Sequence, residues 1–386
     1  MKMSNSIIDT MTSERKPNGL DGPYARYKGD QVEILCTNEA GDILTQFVNP
    51  GEPIMCKVDN ETKDSFFITL RDPSVNEQLK SVYPVSNSII IIADIEGNFN
   101  AFYSLLVSHA IMNTNFEWTF GGNDLVILGD AMDKGQNVTQ CLWLTYHLEQ
   151  QAEQQGGKVH YLLGNHELMN FHLDIRYVPD KYLALARKLS GSERVIEAYR
   201  LLLARNKILT DWWMSKNCIE RIGNTLFVHG GISPQFVERG LSIEQTNIIL
   251  HKYLKKEFVP RSFSDAVVGT YGPLWYRGLV CEDTRNGVYQ KVDESFVDTI
   301  LECYGAKRIV IGHTVVEHVS SDFHNKVWRT DVLHGASKFS SKSEGLLIED
   351  DNLFLLDGAG AQLPLQGSET TSEWHGQTGT PVTFLQ

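Results

Sequence analysis

Five short words in the sequence each place a metal-competent side chain beside a glycine at the end of an apolar run. Ser88–Ala93 runs into Asp94-Ile95-Glu96-Gly97-Asn98, and Leu125–Leu128 into Gly129-Asp130-Ala131-Met132-Asp133-Lys134-Gly135. Val159–Leu163 runs into Gly164-Asn165-His166-Glu167, Thr225–Val228 into His229-Gly230-Gly231, and Arg308–Ile311 into Gly312-His313-Thr314. Carboxylate, amide oxygen and imidazole form a mixed donor set that suits Mn, Fe or Zn better than Ca. Two such ions roughly 3.5–4 Å apart clamp the oxygens of an in-line phosphoryl displacement. One carboxylate must bridge them, and Asp130 sits centrally for that. Asp94 and Glu96 alternate along an extended segment, so both reach one ion only if the chain bends there. His166 adjoins Asn165 and cannot easily share its ion. It is better placed as a general acid that protonates the leaving oxygen, with Asp133 as the carboxylate that orients its ring.

The elements that carry these words alternate in type. From Ser86 onward, short apolar runs are interleaved with helical stretches at about 98–110, 138–155, 180–216, 234–256 and 293–304. That alternation argues for an α/β sheet, and in such sheets sites form beyond the carboxyl ends of strands. Further strands are expected at Lys326–Thr330, Gly345–Glu349 and Asn352–Leu356. Four segments follow: a polar, disordered N-terminus at 1–20, a small β-rich N-terminal unit at 21–86, a catalytic domain at 87–366 and a loose tail at 367–386. The β-rich unit rests on the strand-like runs Val32–Cys36, Ile43–Phe47 and Ser65–Leu70.

Bulk properties narrow the partners. The chain has 386 residues, a hydrophobic content of 42% and a formal net charge of -13. A strongly acidic chain makes a poor nonspecific nucleic-acid binder, because phosphate contacts need Lys and Arg. A phosphorylated substrate must therefore be drawn by a local cationic site, and bound metal ions supply one. No apolar run reaches the ~18 residues of a membrane span. The first 17 residues hold no apolar secretion core, so the chain reads as cytoplasmic, or periplasmic if a signal peptide has been removed. The six cysteines form no CxxC pair and read as thiols, with a Cys36–Cys56 bridge as an alternative.

In order and spacing, the five words resemble the blocks of the calcineurin-like metallophosphoesterase superfamily: D-x-H, G-D-x-x-D-R-G, G-N-H-E, H-G-G and G-H. The spacing is similar to the protein-phosphatase branch. Met169-Asn170, Asp174-Ile175-Arg176-Tyr177-Val178 and Gly272-Pro273-Leu274-Trp275-Tyr276-Arg277-Gly278 resemble the Shewanella-like phosphatases, over about Ser88 to Gly358. The resemblance implies an α/β fold of two mixed β-sheets sandwiched and flanked by helices. It also implies two divalent metal ions (Mn, Fe, Zn or Mg) and phosphomonoester hydrolysis, often with phosphotyrosine preference. By position, Asp94 and Asp130 hold the first ion, and Asp130, Asn165, His229 and His313 the second. A metal-bound hydroxide attacks phosphorus, His166 is the acid with Asp133 behind it, and Arg176 and Arg277 grip phosphate.

Two positions depart from the pattern. Glu96 stands where the first block has His, and Lys134 where the second has Arg. As a ligand, Glu96 adds an anion and makes the first site less Lewis-acidic; otherwise it is an ordinary loop carboxylate. Arg176 alternatively pairs with Asp174 or Asp180, and Arg277 alternatively has a structural part. Two other functions use the same residues: phosphodiester or nucleotide hydrolysis, and non-catalytic phosphoryl binding.

Overall fold

Four consecutive isoleucines make Ser88–Ile92 a strand buried along its whole length. Such a run suits the middle of a sheet covered on both faces. In the computed structural model, which describes residues 19–72, 80–281 and 289–365, this strand is central to the first of two six-stranded mixed sheets. Its order is Gln362–Pro364, Asn352–Asp357, Glu344–Glu349, Ser88–Ile92, Asp124–Leu128, Lys158–Leu162. The last three strands are parallel and the others antiparallel. The second sheet runs Ser320–Asp322, Val327–Arg329, Arg308–Ile311, Thr225–Val228, Ile219–Ile222, Val82–Tyr83. One continuous apolar core takes residues from both sheets, including Ile91, Val126, Leu162, Phe227 and Val310. This is the two-sheet fold that the resemblance implied.

Helices cover the outer faces. Val138–Gln154 links two parallel strands, as such pairs require, and buries Leu142, Trp143, Leu144, Tyr146 and Leu148. Its Trp143 indole N–H donates to the Pro23 carbonyl at 2.7 Å. The stretch expected as helical over 180–216 is three helices: Asp180–Ser190, Val195–Arg205 and Lys207–Met214. The first ends at Gly191, whose left-handed φ of 63° closes it. Between the sheets lies a buried polar clamp. His160 Nδ1 meets Glu220 Oε2 at 2.6 Å, and Asn217 Nδ2 donates to the other Glu220 oxygen at 2.7 Å.

The N-terminal residues form a three-stranded antiparallel sheet, Asp21–Lys28, Gln31–Thr37 and Ile43–Val48, and a ribbon of Ile54–Lys57 with Ser65–Ile68. The strand Asp21–Lys28 is not among the expected runs; it carries Gly22-Pro23, a pair that ordinarily interrupts a strand. It absorbs the pair as an irregularity between Asp21 and Tyr24. Tyr24 and Leu35 pack on Tyr182, Leu185, Tyr199 and Leu202, while Ala25, Ile34, Cys56 and Phe66 enter the main core. Most of the expected N-terminus (1–18) and all of the tail (367–386) lie outside the described residues. All six cysteines are free thiols. Among the described residues no helix is long and apolar enough to cross a membrane.

Glu33 ties this sheet to the helices. Its carboxylate takes Arg26 at 2.5 Å, Lys28 at 3.3 Å and Arg205 at 2.8 Å. The Arg26 hydrogen bond, outweighing burial and helped by Lys28, holds the Glu33 carboxyl at about 2. A depressed folded pKa stabilises above the unfolded value near ~4.3 and loses that stability as pH falls. Glu33→Gln is therefore expected to lower the urea midpoint at pH 7 and to converge with wild type near pH 2. An equal gap at both pH values would contradict this account.

Candidate active site

The loops at the strand ends are laced by main-chain bonds. The Asp94 N–H donates to Gly129 O at 3.2 Å and the Glu96 N–H to Asp130 O at 2.8 Å. In the second sheet, the Gly312 N–H donates to His229 O at 2.9 Å. The sheets are joined where the His313 N–H meets both Asp94 carboxylate oxygens, at 3.2 and 3.1 Å. Asp94, Glu96, Asp130, Asp133, Lys134 and His313 all hold positive φ, between 46° and 71°. L-residues adopt that conformation at a cost, and it concentrates at functional sites. Gly164 is required for a different reason. A Cβ there would lie 2.1 Å from Asp130 Oδ1, so only glycine lets the third word approach the second.

Asp130, His229 and His313 each offer one donor atom, all within 4.8 Å of one another and all buried. Their outer partners aim the rings. His229 Nδ1–H donates to Leu128 O at 2.8 Å, which leaves Nε2 facing Asp130 Oδ2 at 3.2 Å and Asn165 Oδ1 at 3.0 Å. His313 donates from Nε2–H to Trp275 O at 3.0 Å, which leaves Nδ1 as the acceptor, with Arg277 Nη2 at 3.5 Å from it. A ring nitrogen freed in this way is the usual arrangement of a metal-binding histidine. Asp94 is buried beside them. Burial first, then the neighbouring anions Asp331, Asp130 and Glu96, push its carboxyl well above the ordinary range. For Asp130 burial acts in the same direction, but His229, His166 and His313 outweigh it and hold the carboxyl low. A buried cluster of anions with oriented imidazoles is costly unless cations compensate it. The donor set therefore fits divalent metal ions.

A second group, Glu96, Asp130 and His166, also lies within 4.8 Å. Glu96 is ion-paired with Lys134. His166 Nδ1 meets Asp133 Oδ2 at 2.8 Å. Behind it, Asn170 Nδ2 donates to Asp133 Oδ1 at 3.0 Å and the Tyr199 hydroxyl to Asn170 Oδ1 at 2.5 Å. Burial opposes a charge on His166, yet Asp130 and Asp133 outweigh it and push the ring up to about 9. The two carboxylates thus favour the protonated form of the ring.

The two arginines are placed differently. Arg277 Nη1 donates to His313 O at 2.5 Å and to Thr314 Oγ1 at 3.2 Å, at the edge of the histidine group. Arg176 forks onto Asp174 at the surface, with Nε–Oδ1 at 2.8 Å. Sequence reasoning missed three features. Glu167 is wholly buried and accepts from the N–H groups of Asp130, Ala131, Met132 and Gly164. Asp331, also buried, lies near enough for Glu96, next after burial itself, to help lift its own carboxyl. It follows the strand Val327–Arg329, so the strand-end rule applied there would have found it. Asn170 and Tyr199 back the dyad, and no spacing signal marks Tyr199.

Two mixed sheets in a sandwich, with carboxylates and imidazoles gathered at their strand ends, define a metal-site hydrolase of the phosphoesterase class. The chain belongs to the calcineurin-like phosphoesterase family, whose model matches residues 88–317; this family is generally dimetal-dependent. Shewanella-like protein phosphatase 2 of Arabidopsis thaliana is 25% identical over 311 residues, 69% of this chain and 76% of that protein. An uncharacterized protein of Schizosaccharomyces pombe is 29% identical over 249 residues, 63% of this chain and 71% of the relative. A crystal structure of a cold-active protein-tyrosine phosphatase from a psychrophilic Shewanella species matches with a TM-score of 0.73 at 28% identity. That match covers 90% of this chain and 100% of the other.

Proposed function

We propose that this protein is a metal-dependent phosphomonoesterase acting on phosphorylated protein side chains, tyrosine or serine/threonine. The observation that carries the reading is the His166–Asp133 dyad, whose ring shares one 4.8 Å group with Glu96 and Asp130. A protein that only bound phosphate would need no proton donor there. The similarity to a Shewanella-like protein phosphatase and to a protein-tyrosine phosphatase supports the same class.

In this reading Asp94, Glu96 and Asp130 would hold one ion, and Asp130, Asn165, His229 and His313 would hold the other. When bound, the ions supply Lewis acidity to the phosphoryl oxygens and a nucleophilic water at neutral pH. Asp130 serves both positions. The outer bonds to Leu128 and Trp275 keep the imidazoles turned inward. Asp133 holds His166 through Nδ1, so Nε2–H is the proton offered to the leaving oxygen. Arg277 holds a phosphate oxygen with the part of its guanidinium not engaged by His313. Mn, Fe, Zn or Mg satisfies the donor set.

The test is hydrolysis by metal-reconstituted enzyme of phosphotyrosine, phosphoserine and p-nitrophenyl phosphate beside bis-p-nitrophenyl phosphate. Faster turnover of the diester would overturn the monoester reading. Within it, Arg277→Met is expected to lower kcat/KM about tenfold to a hundredfold, the equivalent of one charge-assisted hydrogen bond. Arg176→Ala is expected to stay within about twofold, since exposed ion pairs contribute little. Equal losses in the two variants would show that Arg277 has no special contact with phosphate.

A further inference from the structure

The two positions that depart from the family blocks touch each other. The Lys134 ammonium is ion-paired with the Glu96 carboxylate. Their side chains are 47% and 22% exposed, so the ammonium lies on the solvent side of a carboxylate that also belongs to the donor group with Asp130 and His166. The contact is built into the backbone. Gly135 N–H donates to Glu96 O at 2.8 Å, and a Cβ on Gly135 would lie 2.4 Å from that oxygen. Both residues hold left-handed backbone, φ 46° and 53°. The Lys134 N–H is fixed on Tyr177 O at 3.0 Å. The side chains therefore meet because their loops are locked, not because two long chains happen to bend together.

We infer that Lys134 competes with a metal ion for Glu96, so that the two metal positions fill unequally. Among the described residues no lysine is ion-paired with Asp130, Asn165, His229 or His313, and Arg277 sits 3.5 Å from His313 Nδ1 without pairing with a carboxylate ligand, so this position fills first. The position built on Asp94, Glu96 and Asp130 fills only at higher metal concentration, because Glu96 must leave its ammonium to become a ligand. This rests on the two-ion reading above. Glu96 and Lys134 then act as one substitution: an anion in place of an imidazole, with a flexible point charge set against it. Arginine at 134 would favour a bidentate hold on a carboxylate or a phosphate instead.

The experiment is a Mn(II) titration of chelator-stripped protein, with free Mn(II) counted by electron paramagnetic resonance. Wild type is expected to show two steps. Lys134→Met is expected to tighten the weaker step about twofold to fivefold, the worth of one partly exposed ion pair, and to leave the tighter step in place. That unchanged step also reports that the variant is folded. Glu96→Gln is expected to weaken the second step, and adding Lys134→Met to it should then change nothing. Two steps that Lys134→Met does not shift overturn the competition while leaving the two-ion reading standing. A protein that takes up one ion at most, in every variant, overturns the two-ion reading and the competition with it.

Discussion

His166→Asn is expected to lower kcat on phosphotyrosine or phosphoserine by about 10²–10⁴, the usual share of a positioned general acid. Metal content should not change. The substitution spares the backbone, where the His166 N–H donates to Asp130 Oδ1 at 2.9 Å, so the Asp130 loop keeps its anchor. What disappears is the ring held between Asp133 and the donor group. The loss should depend on the leaving group. A tyrosine or serine oxygen leaves poorly as an anion and needs the proton, whereas p-nitrophenolate is stable without it. The variant should therefore retain far more activity on p-nitrophenyl phosphate than on phosphoserine. Measuring kcat for both substrates checks this. A uniform loss on both, or full activity on phosphoserine, removes His166 from the acid's position. Asp133→Asn should give a smaller loss in the same sense, because the ring remains while its orientation loosens.

The legible part of this protein was the part governed by local rules. Apolar runs ending in Gly-Asp, Gly-Asn or Gly-His located the central strands to within a residue or two, because buried parallel strands need such runs and turns next to ligands need glycine. Asp130, His229 and His313 could be grouped from sequence because each follows a buried apolar run at its carboxyl end, although the Asp130 strand belongs to the first sheet and the two histidine strands to the second. Less legible were strands stabilised by neighbours they meet only in the fold. Val82–Tyr83 is two residues long and exists because it pairs with Arg221 and Ile222. Asp21–Lys28 is not among the expected strand runs and is held as a strand by Gln31–Thr37 and the helices beneath it. The Glu96–Lys134 pair belongs to the same category. Each departure was visible alone, but their contact depends on how the strand-end loop after Ile92 sits on the loop after Leu128.

Glu167→Ala is expected to be the most damaging single change for the fold of the site. The carboxylate accepts from Asp130 N at 3.0 Å, Ala131 N at 3.0 Å, Met132 N at 3.2 Å, Gly164 N at 2.7 Å and the Tyr161 hydroxyl at 2.9 Å. It is fully buried, so water cannot easily replace it. An unsatisfied buried donor costs about 1–3 kcal/mol, and five such donors together approach the total stability of a typical domain, about 5–15 kcal/mol. The sequence word Gly164-Asn165-His166-Glu167 drew attention to its metal-type and acidic members. Its last residue instead reaches back, in the manner of a capping residue at the third helical position, and fixes the left-handed Asp130 that both donor groups share. Glu167→Gln separates shape from charge. One amide oxygen still accepts, but the NH2 group faces main-chain donors, so an intermediate loss of roughly 2–4 kcal/mol is expected. Urea midpoints and metal stoichiometry of the two variants test this together. If Glu167→Ala unfolds at the wild-type midpoint with its metals in place, the Asp130 loop is held by something other than this carboxylate. If Glu167→Gln binds metal normally while Glu167→Ala does not, then the shape of the acceptor, and not its charge, sets the loop that carries Asp130.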